Sequence, residues 1–299
     1  MPELPEVETI RRDLKRVITV PRADKKSKRI TSVEVRKKRI IKGEVKKFQD
    51  AFKSNFFKDI RRIGKLLIFV LGRGDKFMFT HLKMTGQLVY LCPEDASKCT
   101  AKIVAGGHGE PKLDKLPSKY SHVIFNFADG SRLFFNDLRQ FGYLEVVNKD
   151  RLKQVENDYG VGPLTSAFSF QKLKKILASR KAPIKAILLN QKLIAGIGNI
   201  YADEILFAAR VRPQRSAGSL NDKEIKKIFK ATPLILKKAI KYRGTTFNNY
   251  VDSSGRRGNF SQKLKVYGRA GGKCRGCAGV VKKIKLAGRG THYCPECQQ

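Results

Sequence analysis

The chain has 299 residues, of which 41% are hydrophobic, so it is long enough to bury one large core or two ordinary ones. Its 63 lysines and arginines against 26 acidic residues give a formal charge of +37, which indicates a polyanionic partner such as DNA, RNA or an acidic membrane surface. The sequence contains neither an apolar run of about 18–20 residues nor a signal-peptide pattern, which excludes a membrane-spanning helix and indicates a cytoplasmic protein.

The basic residues are spread along the chain. Residues 21–65 hold 17 basic and five acidic residues, and residues 255–299 hold 11 basic and one acidic. This spread favours an extended face that follows a phosphate backbone over a single basic tail. A cationic surface that serves only solubility, or association with the ribosome, is the competing interpretation.

The chain begins MPELPEVET, an acidic and proline-stiffened tip on a basic protein. Apolar residues then recur at helical spacing, which predicts an amphipathic helix after the tip. As a helix start, the tip is ordinary, because Pro5 suits a first turn and Glu6 suits the positive end of a helix. This structural interpretation leaves the residues before Pro5 unexplained.

Strand patterns follow the first helix. Three segments have either alternating or continuous apolar residues, which predicts strands: residues 60–72, 76–91 and 121–137. The third segment predicts a hairpin with a tight turn at Asp129-Gly130. Residues 92–118 are rich in glycine and proline and predict an irregular surface loop. Cys92, Cys99 and His108 fall in this loop, and we expect free thiols there rather than a second metal site.

The pattern becomes helical after about residue 148. Helices are predicted within residues 168–180, 183–193, 199–210 and 222–242, and a glycine- and serine-rich loop follows at residues 244–260. The sequence thus predicts an α+β protein with a β-sandwich domain at 1–148, a helical domain at 149–262 and a cysteine-bearing segment at 263–299.

Four cysteines near the C-terminus have metal-ligand spacing. Two C-x-x-C pairs are separated by sixteen residues, which predicts one tetrahedral zinc ion that is structural because no coordination position is left open. The residues between the pairs predict a β-hairpin whose glycine-rich turn carries Arg289, either as a solvated arginine or as one that is inserted into nucleic acid. The predicted ligands are Cys274, Cys277, Cys294 and Cys297.

Pro2 gives the tip a chemical interpretation. A small second residue favours removal of Met1, which would leave a proline amine that titrates near pH ~8 when unperturbed. A neutral secondary amine attacks aldehyde-like carbons and forms an iminium. Glu3 is tethered beside it and can serve as a general acid or base.

At this point the chain resembles the bacterial formamidopyrimidine-DNA glycosylase (Fpg/Nei) family. The resemblance is carried, in order, by MPELPEVET, HLKMTGQL, NDLRQFG, GIGNIYADEILF and VYGR…AGRGTHYCPEC, and it covers nearly the whole chain. It implies a bifunctional DNA glycosylase and AP lyase that excises oxidised purines, notably 8-oxoguanine and formamidopyrimidines, from damaged double-stranded DNA. It also implies a helix–two-turn–helix domain, a zinc finger and action as a monomer associated with the nucleoid.

The resemblance assigns chemistry to five residues. Pro2 attacks C1′ and forms a Schiff base, Glu3 donates a proton to open the sugar, and Glu6 supports the site. Lys65 matches a lysine of β-elimination, and Arg289 matches the finger arginine of δ-elimination.

Further residues match DNA-contacting positions of the family. Such enzymes must take the damaged base out of the stack, and Met84, Arg139 and Phe141 would fill the gap that the flipped-out nucleotide leaves. Without the family resemblance, Met84 and Phe141 would be interpreted as core residues. The matched residues are His81, Met84, Tyr120, Arg139, Phe141, Arg180, Lys185, Asn199 and Tyr201.

The sequence also departs from the family pattern. Leu138 and Gln140 replace the proline and second arginine of the common D-P-R-R-F-G motif, and Asn248 stands where a basic residue is common. Two alternatives therefore stay open: an endonuclease VIII-like glycosylase for oxidised pyrimidines, against which the LPEVE tip argues, and a non-catalytic zinc-ribbon protein that binds nucleic acid.

Overall fold

A computed structural model of the chain describes residues 1–19, 28–93, 103–106, 116–245 and 259–299. The chain divides into two compact units. The first contains residues 1–2, 6–156 and 243–259, and the second contains residues 3–5, 157–242 and 260–299. Most strands belong to the first unit and most helices to the second, which confirms the predicted α+β class.

The helix predicted after the tip is present as α1, Leu4–Ile18. Val7, Ile10, Leu14 and Ile18 recur every three or four residues and are fully buried in the core of the first unit. The apolar stripe therefore fixes which side of α1 faces the sheets.

The first unit is a β-sandwich, as the strand patterns predicted. Its strands are β1 (Ile30–Val35), β2 (Ile41–Lys42), β3 (Phe57–Ile63), β4 (Leu66–Leu71), β5 (Phe77–His81), β6 (Gly86–Leu91), β7 (Ile103–Gly106), β8 (Ser121–Phe127), β9 (Arg132–Asp137) and β10 (Tyr143–Val147). They form two five-stranded sheets, in the orders β1-β8-β9-β6-β7 and β2-β10-β5-β4-β3. The β2–β10 pairing is parallel, and the other pairings in these sheets are antiparallel.

Aromatic side chains fill the space between the two sheets. Phe57 of β3 and Phe125 of β8 come from opposite sheets, and their ring centroids are 5.8 Å apart at an edge-on angle of 66°. Phe48 of α2 (Val45–Asp50) and Phe52 just after it pack against the same cluster. Such edge-to-face packing of large rings makes this cluster the centre of the core.

The predicted loop at 92–118 is only partly described. It contains β7, which pairs with β6 at a sheet edge, so the prediction of an irregular segment was wrong for these four residues. Cys92 is disulfide-bonded rather than a free thiol, which also withdraws its sulfur from metal binding. Cys99 and His108 lie outside the described residues.

Helices build the core of the second unit. The remaining α-helices of the described residues are α3 (Lys149–Asp158), most of which lies in the first unit, and four helices of the second unit: α4 (Phe170–Leu177), α5 (Ile184–Leu189), α6 (Asn199–Ala209) and α7 (Asp222–Lys241). The last four agree with the predicted helical segments within a few residues at each end. Among the described residues, no helix combines the length and apolarity that crossing a bilayer requires.

The cysteine segment forms the predicted hairpin, with β11 at Lys282–Leu286 and β12 at Arg289–Tyr293. Its two-residue turn is Ala287-Gly288, and both residues have positive φ, as a tight hairpin turn requires. Arg289 is thus the first residue of β12, where it pairs with Leu286, rather than part of the turn.

Candidate functional site

Glu3 lies in the second unit, at the start of α6. Its carboxylate accepts hydrogen bonds from the backbone N–H groups of Gly198 at 2.8 Å, Ile200 at 2.9 Å and Tyr201 at 3.4 Å. The N-cap residue of α6, Gly198, has no side chain, so Glu3 supplies the anionic cap from a distant part of the sequence. Glu3 is only 2% exposed, and this cap therefore holds in place the residue that is peptide-bonded to Pro2.

The contact between Glu3 and α6 requires glycine at position 198. A Cβ on Gly198 would lie 2.2 Å from Cδ and 2.5 Å from Oε1 of Glu3. Its backbone dihedrals (φ −126°, ψ −164°) are open to any residue. The glycine is thus required by the close approach of the carboxylate, not by the backbone conformation.

Pro2 and Glu6 belong to the first unit. Pro2 is half-buried and stands just before α1, and Glu6 is half-buried in the first turn of that helix. One oxygen of Glu6 accepts hydrogen bonds from the backbone N–H of Thr245 at 2.8 Å and from its hydroxyl at 3.1 Å. Glu6 therefore anchors the start of the glycine- and serine-rich loop, of which residues 246–258, including Asn248, lie outside the described part.

Lys65 occupies the turn between β3 and β4 and is 7% exposed. Burial, together with the positive charges of Lys83, Lys65 and Lys42, lowers the pKa of His81 to about 3. His81 Nδ1 also accepts the backbone N–H of Lys83 at 3.0 Å, so its Nε2 carries the proton of the neutral ring. This group of cations next to a neutral histidine suits phosphate binding.

Three predicted gap-filling residues lie together and exposed in the first unit. A guanidinium nitrogen of Arg139 is 3.1 Å from the sulfur of Met84, and the guanidinium lies 4.7 Å from the ring centroid of Phe141. Phe141 is 51% exposed and Met84 38%. The interpretation as core residues is therefore wrong, and two large apolar side chains around an arginine are left facing solvent.

A buried carboxylate holds the loop that carries Arg139 and Phe141. Asp137 is fully buried and accepts hydrogen bonds from the hydroxyl of Thr85 and from the backbone N–H groups of Arg139 and Gly142, at 3.2 and 2.7 Å for the latter two. These bonds tie both ends of the loop to one side chain. The loop is thus held through a side chain, in a sequence where Leu138 stands in place of the proline of the family motif.

Lys185 is in the interior of the second unit. It is 1% exposed, and its ammonium lies 2.7 Å from Asp203, 2.8 Å from the hydroxyl of Thr291 and 3.0 Å from the carbonyl of Gly290. Burial lowers its pKa, which the carboxylate of Asp203 opposes. The ammonium is thus held against Asp203 and the finger strand β12, and the prediction that Lys185 binds DNA stays a prediction.

The same contacts fasten the Arg289 hairpin to the helices. Gly290, directly after Arg289, accepts hydrogen bonds from Lys185 and from the side-chain amide of Asn199 at 2.9 Å. Asp203 accepts the backbone N–H of His292 at 2.8 Å. The exposed guanidinium of Arg289 therefore projects from a strand that α5 and α6 hold in position.

The other predicted residues have mixed positions. Tyr201 is 0% exposed and packs against Phe260 in the helical core, and its part in DNA binding stays a prediction. Arg180 is exposed, and Tyr120 is 38% exposed at the start of β8, where its carbonyl accepts the backbone N–H of Asp137.

The four predicted metal ligands converge. The sulfurs of Cys274, Cys277, Cys294 and Cys297 all lie within 4.8 Å of one another. The Cys274–Cys297 and Cys277–Cys294 sulfur separations are 3.7 and 3.5 Å, close to the edge of about 3.8 Å of a tetrahedron with Zn–S bonds of about 2.3 Å. The donor set fits one zinc ion, which would supply folding energy to this small element.

Sequence reasoning missed Asp137, Asp203 and Gly198, although one signal was available. Asp203 and Glu204 interrupt the otherwise apolar α6, and acids in such a helix are buried only where they have partners. Glu204 accepts the backbone N–H groups of residues 265–267, which lead to the cysteine segment.

Three family descriptions match the chain. Residues 1–144 match the formamidopyrimidine-DNA glycosylase N-terminal domain, residues 159–251 match the H2TH domain of the same family, and residues 271–299 match the zinc finger found in FPG and IleRS. With the four converging sulfurs, the last match assigns one structural zinc ion to the finger.

Similar proteins cover the chain from end to end. Formamidopyrimidine-DNA glycosylases of Desulfitobacterium hafniense and Heliobacterium modesticaldum are 41% and 39% identical over 301 residues, with 100% of each chain covered. A crystal structure of a Lactococcus lactis FPG variant with Fapy-dG containing DNA is similar, with a TM-score of 0.83, 33% identity and 100% coverage of both chains. A complex of Lactococcus lactis Fpg with DNA that contains an abasic site matches with a TM-score of 0.82, 33% identity and 99% coverage of both. Full-length identity at this level shows that the chain belongs to the formamidopyrimidine-DNA glycosylase family.

Proposed function

We propose that the protein is a bifunctional DNA glycosylase and AP lyase of base excision repair, which excises oxidised purines from damaged duplex DNA and then cleaves the abasic strand. The observation that carries the proposal is the cap on α6. Three backbone N–H groups fix the carboxylate of Glu3, and this residue is bonded to the only secondary amine that the chain would have once Met1 is removed. Family membership and the charge of +37 support a DNA substrate.

The proposed chemistry starts at the amine of Pro2. Its neutral nitrogen attacks C1′ of the damaged nucleoside, the bond from C1′ to the base breaks, and the base leaves with the proton that the amine loses. Glu3 then donates a proton to the ring oxygen O4′ as the C1′–O4′ bond breaks. The nitrogen lone pair forms the double bond to C1′, which gives an iminium between Pro2 and the opened sugar.

Two elimination steps then follow from the iminium. Loss of a C2′ proton breaks the C3′–O bond, and loss of a C4′ proton breaks the C5′–O bond. Each phosphate leaves with the bridging oxygen and the electron pair of the broken C–O bond. We assign the phosphate contacts of these steps to Lys65 and Arg289, and Glu6 to support of the tip. The buried position of Lys65 and the anchored hairpin of Arg289 both favour a fixed placement of charge, which is the condition for electrostatic stabilisation.

The exposed group of Met84, Arg139 and Phe141 suits a gap in a base stack. A flipped-out nucleotide leaves an unpaired partner base, and Arg139 can donate hydrogen bonds to it while the two apolar side chains fill the space. The hydrogen bonds to the buried carboxylate of Asp137 support this role, because side chains that are inserted into a base stack must be held in a fixed position.

We further propose domain boundaries near residues 148 and 262, action as a monomer on DNA, and a cytoplasmic location in association with the nucleoid. The family matches, which end at residue 144 and resume at 159 and 271, support the boundaries.

A borohydride trapping assay tests the proposal. Borohydride reduces the iminium to a stable amine, so protein incubated with 8-oxoguanine duplex should give a covalent complex that migrates slowly on a denaturing gel. The variant Pro2→Gly should lose this complex and keep its fold. Mass spectrometry should show Met1 absent from active protein. Strand cleavage by the wild type without any trapped complex would refute the mechanism.

The same assay separates the alternatives. Preferential trapping on an oxidised pyrimidine would support the endonuclease VIII-like activity, and tight DNA binding without turnover on any lesion would support a non-catalytic zinc-ribbon protein. The tip sequence favours oxidised purines.

A further inference from the structure

The solvent-facing side of α7 is a long basic surface. From residue 223 onward, its exposed residues fall within an arc of about 120° when they are plotted at 100° per residue, and the helix is about 30 Å long. All but one are lysines, and the exception, Leu234, is 66% exposed at the centre of the row. We name this row the α7 face; it consists of Lys223, Lys226, Lys227, Lys230, Leu234, Lys237, Lys238 and Lys241.

The opposite side of α7 is the one that builds the fold. Ile225, Ile228 and Leu236 are buried in the core of the second unit, where α7 packs against α4 and α6. The α7 face therefore points away from α6, whose first residue, Asn199, holds the Arg289 hairpin. Within the second unit, none of its residues takes part in the hydrogen bonds that hold Glu3 and the Arg289 hairpin.

Among the described residues, no carboxylate forms an ion pair with a lysine of the α7 face. Asp222 and Glu224, at the helix start, are already paired with Lys174 and Arg215. The helix has no carboxylate after Glu224, and within the described residues none of its seven lysines forms an ion pair.

Other helices of the same protein show what a merely solvated surface is like. In and around α2, Glu44 pairs with Lys47 and Asp50 with Lys53. In the α7 face, lysines stand four residues apart, as at 226 and 230 or 237 and 241, where like charges weaken a helix. Solubility alone does not require seven unbalanced charges on one side of one helix.

We infer that the α7 face binds the phosphate backbone of a second stretch of duplex DNA, in addition to the stretch that contains the lesion. Seven charges over about 30 Å match the dense line of negative charge on a duplex, which carries one charge per about 1.7 Å of its axis. Leu234 adds an apolar contact for the sugar carbons between phosphates. Such a surface would hold the protein on undamaged DNA while the site is engaged elsewhere.

The test uses protein whose proposed lesion site is already occupied. Wild-type protein is trapped with borohydride on a short 8-oxoguanine duplex, and binding of a second, labelled undamaged duplex is measured over a range of salt concentrations. The test variant replaces Lys227, Lys230, Lys237 and Lys241 with Gln. The matched control replaces Lys46, Lys47, Lys53 and Lys58 with Gln; these four lysines are also exposed but stand among acids.

The trapped wild type should bind the second duplex, and the α7 variant should bind it at least about tenfold more weakly at moderate salt. Four lost phosphate contacts would reduce the steepness of log K for the second duplex against log salt by roughly 3.6. We expect a reduction of about two or more in the α7 variant relative to the wild type. The control should change the slope by less than about one unit. Thermal unfolding of the α7 variant should be unchanged or shifted upward, because like-charge repulsion is relieved.

If the α7 variant and the control variant bind the second duplex equally weakly, the loss is due to net charge and not to the α7 face, and the inference is overturned. Failure of the trapped wild type to bind a second duplex would overturn it as well, and binding of an acidic polypeptide in its place would assign the α7 face to a protein partner. Trapping rests on the proposed function, so absence of any trapped complex is a failure of that proposal. In that case, the α7 variant and the control variant are compared for binding of undamaged duplex without trapping, and this comparison tests the inference about the α7 face.

Discussion

Gly198→Ala should damage the protein more than the addition of one methyl group suggests. The new Cβ would lie 2.2 Å from Cδ of Glu3, whereas carbon atoms rest about 3.5–4.0 Å apart. The carboxylate must therefore move by about 1 Å or more, and its hydrogen bonds to the N–H groups of Gly198, Ile200 and Tyr201 stretch or break.

Two effects follow, and they have different sizes. Loss of the cap and local overpacking should together lower the free energy of unfolding by about 2–4 kcal/mol. Displacement of Glu3 also displaces the amine of Pro2, and a misplacement of about 1 Å at a reacting group costs on the order of 100-fold in rate. Single-turnover trapping on 8-oxoguanine duplex measures the second effect, and thermal unfolding measures the first.

Two further variants show that the contact is responsible. Gly272→Ala is the control, since its Cβ would meet only the backbone carbonyl oxygen of Arg269, at 3.2 Å, and a shift of a few tenths of an ångström relieves it; its cost should be below about 1 kcal/mol. In a Glu3→Ala background the clash partner is gone, so Gly198→Ala should then cost little stability, which gives a measurable coupling energy. A trapping rate within about twofold of the wild type for the single Gly198→Ala variant would refute this interpretation of the site.

Further predictions concern buried ionised groups and the finger. Asp137→Asn should lower the free energy of unfolding by about 2 kcal/mol in thermal unfolding and weaken binding to abasic-site DNA, because one of two acceptor oxygens is lost. Lys185→Met leaves Asp203 buried without its cation and should cost about 3–5 kcal/mol in denaturant unfolding; a neutral outcome would contradict the ion pair. Burial opposes ionisation of Glu8, but hydrogen bonds from arginines outweigh it and lower its pKa from 4.5 to about 2. Its contribution, about 2 kcal/mol after solvent screening, should be complete above pH 4.5 and lost as the pH falls towards 2, so the stability difference between wild type and Glu8→Gln should vanish over that window. Cys294→Ser should unfold the finger and reduce DNA affinity while the β-sandwich stays folded, as circular dichroism and a binding titration would show.

The sequence allowed prediction of elements whose signal is local. The apolar stripe of α1, the Asp129-Gly130 hairpin and the cysteine spacing each depend on residues close together in the chain, and the structure contains all three features. The strand at 103–106 was missed because it is four residues long and lies among glycines and prolines. Its pairing with β6 is a long-range contact that local propensity does not report.

The site was predictable only by resemblance, and the sequence did not show which of its residues are buried. Lys185 and Tyr201 match DNA-contacting positions of the family, and both side chains are almost fully buried in the structure. The structure uses the ammonium of Lys185 to hold β12 and the ring of Tyr201 to fill a core. A single sequence does not distinguish a cation that reaches outward from one that fixes another residue.

The few acids of this basic chain carry much of its organisation. Glu3 closes the start of α6, Asp137 holds the wedge loop, and Asp203 and Glu204 fasten the segments that lead into and through the finger. Each of these four carboxylates accepts backbone N–H groups, and each is at most 2% exposed. Lysines and arginines cannot accept such bonds, so these converging N–H groups would be left without acceptors if the four buried carboxylates were absent. Removal of any one of these carboxylates should therefore lower the free energy of unfolding more than removal of any exposed lysine. Its main effect on the proposed site should be the displacement of the segment that the carboxylate holds, rather than the change in net charge.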